Sequence, residues 1–297
     1  MKYFNGSSVH RFYSNFPHDR CALKDDYLWF SHYSHLNDPF EDVYIKNALQ
    51  QPKGSWSKEE AYDLYRKMNK TSLSPEEIEN DLVRFEMEQS FDERFKIIME
   101  RTYELSKSLF NNYVGKSKVC CLTVDEIESN VSALSNRLMW SHYADGLRGF
   151  CVEFNSSELM RSLDMKQDVK FSSHEIQYTD LVPANFEFML SSTFEALNRT
   201  GDFIGTDYFI GSLLTYKSSE WKYENEVRLV CKGESKQFYC PSSIRTITVG
   251  EKMPAYEFEQ LLSVLRGNEG IRCKIFKAKI NIENFELERE LVCDLAQ

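Results

Sequence analysis

Apolar residues recur along this chain in two rhythms. Short apolar runs, continuous or alternating, predict strands at Val9 to Ser14, Leu28 to Ser31, Lys118 to Val124, Gly149 to Asn155 and Glu175 to Tyr178. Further strands are predicted at Val227 to Val230, Ile244 to Val249 and Cys273 to Ile280. A spacing of three and four marks helices instead. Phe91, Phe95, Ile98, Leu105 and Leu109 fall on one helical face, with charges filling the rest. Upstream, Ser57 with Glu60 forms a capping box, and Ser74-Pro75-Glu76-Glu77 is an N-cap with proline at the first helical position. Further helices are predicted from Ser135 to Asp145 (stopped by Gly146), from Asn185 to Asn198, and from Pro254 to Gly267. Asn15, Pro17 and Asp19 mark a polar turn, and Ser34 to Glu41 a loop built on Asn37-Asp38-Pro39. Strands dispersed among helices without strict alternation predict an α+β fold, with a mixed, mainly antiparallel β core and flanking helices. The expected organisation is a single domain over 1–297, carrying a helical insertion over 57–113.

Composition narrows the function. The 297 residues carry 46 acidic against 36 basic side chains, a formal charge of -10. That disfavours charge-driven adhesion to nucleic acid or anionic membrane, and leaves room for a nucleic-acid substrate in a local basic groove. No pair among the eight cysteines has the C-x-x-C spacing of a zinc or redox site, and several sit inside strand-like runs as small hydrophobes. Together with the lack of an apolar leader or an 18-residue apolar span, this sets the expectation of a cytoplasmic protein with no membrane association.

Trp221-Lys222-Tyr223-Glu224-Asn225-Glu226-Val227-Arg228-Leu229-Val230 is the most informative stretch. If the chain is extended there, Glu224 and Glu226 project to one face at the entrance to a buried strand. Paired carboxylates are costly to desolvate, so folding alone gives little reason for them. They read either as an acid pair facing a cleft or as the solvated face of an edge strand offset by Arg228. Trp140, Tyr143 and Leu147 are spaced to share a helix face, as a core stripe or as an aromatic wall for a nicotinamide or adenine ring. Ser141 and His142 are helix neighbours pointing apart, so they form no nucleophile–base pair. His32, His35 and Asp38 resemble metal ligands superficially, but no second ligand pair matches them, and the expected metal complement is none. Asn37 and Asp38 form either a plain Asx turn or a ligand-orienting loop. The spacing of Gly201, Gly205 and Gly211 matches no phosphate-cradling loop.

Three blocks carry a resemblance. They are Phe30-Ser31 with Leu36-Asn37-Asp38-Pro39-Phe40-Glu41; Met139-Trp140-Ser141-His142-Tyr143-Ala144 followed by Gly149-Phe150-Cys151-Val152-Glu153-Phe154; and Trp221 to Arg228. In this order they resemble the bacterial family called domain of unknown function 2971. Separately, Glu224-Asn225-Glu226-Val227-Arg228-Leu229-Val230 is similar to the Glu-x-Glu turn and following strand of ADP-ribosyltransferases. That second resemblance implies a split-sheet fold, NAD as substrate, and catalytic roles for Glu226 and Glu224. Glu226 would bond the nicotinamide-ribose hydroxyl, and Glu224 would orient or deprotonate the acceptor. It further implies cofactor contacts from Arg11 or His10 on the first strand, with Ser31 or Thr123 supporting the glutamate. Asn37, Asp38, Trp140, His142, Tyr143 and Arg228 complete the expected cofactor-binding set. The clean Ser-Thr-Ser motif of that superfamily is absent.

The function expected is therefore an NAD-dependent ADP-ribosyltransferase, a toxin or antiphage effector acting on nucleic acid or protein, with a neutralising antitoxin as partner. A non-catalytic recognition module of a defence system is one alternative. A metal-dependent nuclease or nucleotide hydrolase using Asp38, Glu41, Glu224 and Glu226 is another.

Overall fold

In the computed structural model, residues 8–112, 114–125, 132–166, 169–180, 185–200 and 214–296 are described. The chain divides into two compact units, one built from 1–32, 118–176 and 219–297 and the other from 33–117 and 177–218. The expected insertion over 57–113 thus falls inside a larger helical unit that starts at Tyr33 and recruits a second segment.

The first unit is organised by one mixed, mainly antiparallel sheet, which makes the fold α+β. Its elements, numbered in chain order, begin with β1 (Ser8–Tyr13), α1 (Pro17–Lys24), β2 (Tyr27–Trp29), β3 (Ser31–His32), β4 (Lys118–Val124), α6 (Arg137–Tyr143) and β5 (Phe150–Asn155). They continue with α7 (Ser156–Lys166), β6 (Phe171–Glu175), β9 (Glu226–Cys231), β10 (Lys236–Phe238), β11 (Ile244–Gly250), α9 (Ala255–Gly267), β12 (Lys274–Ile280) and β13 (Leu287–Asp294). The strands run in the order β13-β12-β11-β5-β1-β4-β9-β6, with β3 added beside β4. Only β11 and β12 pair in parallel among these described strands. The sheet is continuous across β1, which pairs with both β4 and β5, so the split sheet implied by the ADP-ribosyltransferase resemblance is not what the described residues form.

Alternation gives this sheet two different faces. One carries Val9, Tyr13, Cys120, Leu122, Val152, Phe154, Val227, Leu229, Ile247 and Ile275, packed beneath Leu23 of α1, Leu159 and Leu163 of α7 and Leu261 and Leu265 of α9. The other is apolar only in part. There Phe12 and Cys151 meet Trp140, Ala144, Leu147 and Ala278. Trp140 stands edge-on to Phe12 with ring centroids 5.3 Å apart, and its indole N–H donates to the Leu134 carbonyl at 2.8 Å. Such a ring pair contributes about 0.5–1.5 kcal/mol beyond its burial. The chain turns sharply between α6 and β5, where a Cβ on Gly149 would lie 2.0 Å from the Tyr13 carbonyl oxygen. Only glycine fits that approach.

The second unit holds α2 (Pro39–Ala48), α3 (Lys58–Asn69), α4 (Pro75–Met87), α5 (Phe91–Asn112) and α8 (Phe186–Thr200), with a two-stranded pair, β7 (Gln177–Tyr178) and β8 (Tyr216–Lys217). Both capping boxes read from sequence are formed, at Ser57/Glu60 and Ser74/Glu77. Phe91, Phe95 and Met99 bury the inner face of α5, whereas Leu105, expected on the same stripe, is exposed. Segment 34–41 is not a loop throughout: Pro39 opens α2, and Asp38 caps it by accepting from the Phe40 amide at 2.9 Å. Proline there serves as the first helical residue, where its missing N–H costs nothing. Gly201, Gly205 and Gly211 lie outside the described residues.

Candidate functional site

Strand register places a row of polar side chains across the less apolar face. His10 of β1 is paired with Thr123 of β4, and Thr123 with Glu226 of β9. On the far side of His10 the row continues to Glu153 of β5, and then to Thr246 of β11. His10, Thr123 and Glu226 are all buried. One position further along, Arg228 lies between Cys121 and His174. An extended apolar strand has no need of such a row, and its desolvation must be met by partners.

Glu226 finds its partner two residues on, on its own strand face. Arg228 donates from Nε to Glu226 Oε1 at 2.8 Å and from Nη2 to Oε2 at 3.4 Å, with the side chains 1% and 3% exposed. The Cys121 thiol also bonds this carboxylate; burial pushes it well above the ordinary thiol value, and the charge of Glu226 adds to that. Since β9 is an interior strand buried along its length, the solvated-edge alternative does not hold.

Glu224 is buried too, but not through the two-residue repeat of an extended chain. It ends a 3-10 turn, Ser219–Glu224, and Asn225 follows with φ +41° before the strand begins. Asparagine tolerates this left-handed backbone better than most residues. Its side-chain amide donates to the Val124 carbonyl at 2.9 Å and its own carbonyl accepts from the Val124 amide at 3.0 Å, which pins the bend to the end of β4. The Tyr143 hydroxyl donates to Glu224 Oε1. Next to it, His142 Nδ1 lies 2.7 Å from the Tyr223 hydroxyl, and Asn136 Nδ2 donates to the Tyr223 carbonyl. Two consecutive residues of α6 thus clasp two consecutive residues of the turn.

At the bend opens a cavity of about 280 Å³, lined by Thr123, Val124, Ser132, Ala133, Asn136, Lys222, Tyr223 and Asn225. Beside it, Asp125 Oδ1 accepts from the Ala133 amide at 2.8 Å and lies 3.1 Å from His10 Nε2. Burial alone would raise the Asp125 carboxyl, but His10, the Ala133 amide and Ser132 outweigh it and hold it below the ordinary value. Among the described residues, the buried His10 Nδ1 has no hydrogen-bond partner.

The other expected residues are distributed differently. Arg11 sits on the opposite sheet face from Glu226, donating to the Cys121 carbonyl at 2.5 Å beside Cys120 and over the Tyr13 ring, so His10 is the first-strand residue in the row. Ser31 pairs with Val119, four positions along β4 from Thr123 or about 13 Å away; Thr123 is the hydroxyl opposite Glu226. Trp140 is 1% exposed and belongs to the core, which removes it as a stacking wall. Tyr143 touches Glu224 rather than serving as a free ring face. Asn37 and Asp38 belong to the helical unit, where Asp38 is the α2 cap. In that unit Glu41 lies 3.8 Å from the buried Lys217 ammonium. Among the described residues no three His, Cys, Asp or Glu side chains converge as a metal site, and no helix is long and apolar enough to cross a membrane. Asp125, Cys121 and Asn225 were not singled out from sequence. Strand pairing brings Cys121 to the Glu226/Arg228 pair, and Asp125 meets His10.

Residues 139–229 match the family model described as Protein of unknown function (DUF2971). No curated protein and no solved structure matches the chain.

Proposed function

We propose that the site built in part by residues 139–229, the span that matches the DUF2971 family model, is that of an NAD-dependent ADP-ribosyltransferase. The observation that carries this is the row His10, Thr123, Glu226 on adjacent strands. It offers a basic residue, a hydroxyl and a carboxylate in the order the resemblance calls for. The buried His10 Nδ1, without a partner among the described residues, and Thr123 at the cavity fit a ligand rich in hydroxyls. NAD is the substrate in this scheme. Glu226, oriented by Arg228, accepts from the nicotinamide-ribose hydroxyl and stabilises the oxocarbenium-like charge that develops as the glycosidic bond breaks. Glu224, held by Tyr143, takes the proton from the incoming acceptor. An enzyme of this kind acting on nucleic acid or protein serves as a toxin or antiphage effector, and a neutralising antitoxin is the partner it calls for.

Incubation of the purified protein with labelled NAD and a cell lysate tests the assignment. Nicotinamide release and label transfer are expected, both falling at least about 100-fold in Glu226→Gln. Thr123→Val is expected to reduce turnover less. Transfer that persists at the native rate in a folded Glu226→Gln protein removes Glu226 from the chemistry.

A further inference from the structure

Trp221, Lys222 and Tyr223 form an aromatic–basic–aromatic triplet immediately before the candidate acceptor-activating Glu224. The two rings stand 6.1 Å apart at 35°, both half-buried, and the exposed His142 ring lies 5.7 Å from Tyr223. Lys222 is exposed and, among the described residues, is the only charged one lining the 280 Å³ cavity. A second exposed cation, Arg137, follows directly on Asn136, another lining residue whose amide holds the Tyr223 carbonyl. Neither cation has an ion pair among the described residues, whereas Lys46, Lys53, Lys58, Arg66, Lys67, Arg84, Arg94 and Lys279 are all paired with carboxylates.

We propose that this surface binds single-stranded nucleic acid, with a base stacked on the Trp221/Tyr223 pair and its phosphates against Lys222 and Arg137, as the acceptor of the transferred group. The inference rests on the ADP-ribosyltransferase reading for the transfer, though not for the binding. Stacking on half-exposed rings suits unpaired bases, whose faces are free, and cations flanking the cavity take the backbone charge. Other neighbours of the surface, Tyr223 with His142 and Glu224 with Tyr143, are already committed to each other, which keeps the rings in place.

The test separates binding from transfer. Fluorescence anisotropy with a labelled single-stranded oligonucleotide, in the absence of NAD, is run on the native protein, Lys222→Ala, Arg137→Ala and Trp221→Ala, each checked for native thermal melting. Binding that falls with salt is expected, with the slope of log Kd against log salt reduced by about 0.7 for each removed cation. Trp221→Ala is expected to weaken binding about 5- to 100-fold, and a duplex of the same sequence to bind more weakly. No binding, or binding indifferent to all three substitutions, overturns the proposal. With labelled NAD, label on the oligonucleotide supports the acceptor class, and label on lysate protein alone overturns it. Oligonucleotide binding without any nicotinamide release, by contrast, refutes the transferase reading and leaves the binding surface standing.

Discussion

Replacing Arg228 by methionine strands the Glu226 carboxylate inside the sheet without its counter-charge. In the native chain the pair closes at 2.8 Å with both side chains almost fully covered. At that separation an effective dielectric of about 20 gives an attraction of about 6 kcal/mol. Desolvating the two ions costs several kcal/mol each, so the intact pair contributes little net stability. The half pair keeps the desolvation cost and loses the attraction, which is a destabilisation of about 3–5 kcal/mol. Removing both charges in Glu226→Gln/Arg228→Met should recover much of that loss. Urea unfolding followed by circular dichroism gives the four stabilities of this cycle, and a coupling of about 2 kcal/mol is expected. Arg228→Met costing under about 1 kcal/mol, or a double variant as unstable as the two singles added together, refutes the reasoning from burial.

Three further outcomes follow from other parts of the molecule. Lys53 and the Ser57 cap together bring the Glu60 carboxyl from 4.5 down to about 2, so its contribution to stability is present above pH 4.5 and is lost as pH falls toward 2. The lead of the native protein over Glu60→Gln in urea midpoint should therefore shrink across that window; a constant difference contradicts the assignment. Burial pushes the Cys231 and Cys273 thiols up to about 12, whereas Cys21 is exposed. Iodoacetamide at pH 8 should therefore modify Cys21 first and reach the other two only after unfolding, as read by mass spectrometry. Gly149→Ala drives a methyl group into the Tyr13 carbonyl and should cost about 2 kcal/mol or more, lowering Tm by at least about 4 °C; a smaller drop means that the corner yields.

Much of the fold is legible where a strand or helix carries its own signal. The continuous Val227, Leu229, Val230 run is read correctly because β9 is buried on both faces, and the Ser57 and Ser74 caps because their chemistry is local. β13 escapes notice because its Leu287-Glu288-Arg289-Glu290 sequence belongs to an exposed edge, where charges are a protection rather than a fault. Pro17 and Pro39 fall in segments whose composition predicts a turn and a loop, yet each opens a helix. At the candidate site, sequence singles out Glu224 and Glu226 but misjudges how they are presented. A two-residue repeat assumes extended backbone, and the positive φ of Asn225 breaks it. Nor can one strand tell which of His10 and Arg11 faces the glutamate. That is decided by pairing with β4, more than a hundred residues away.

The two units are interleaved along the chain, which passes between them at residues 32/33, 117/118, 176/177 and 218/219. No single cut can therefore release either body intact, and a truncation that drops the last segment takes β9 with it. During synthesis the histidine and threonine emerge long before the carboxylate that completes their row, and long closures of this kind are entropically slow. The nascent chain thus stays chemically incomplete until most of it has left the ribosome.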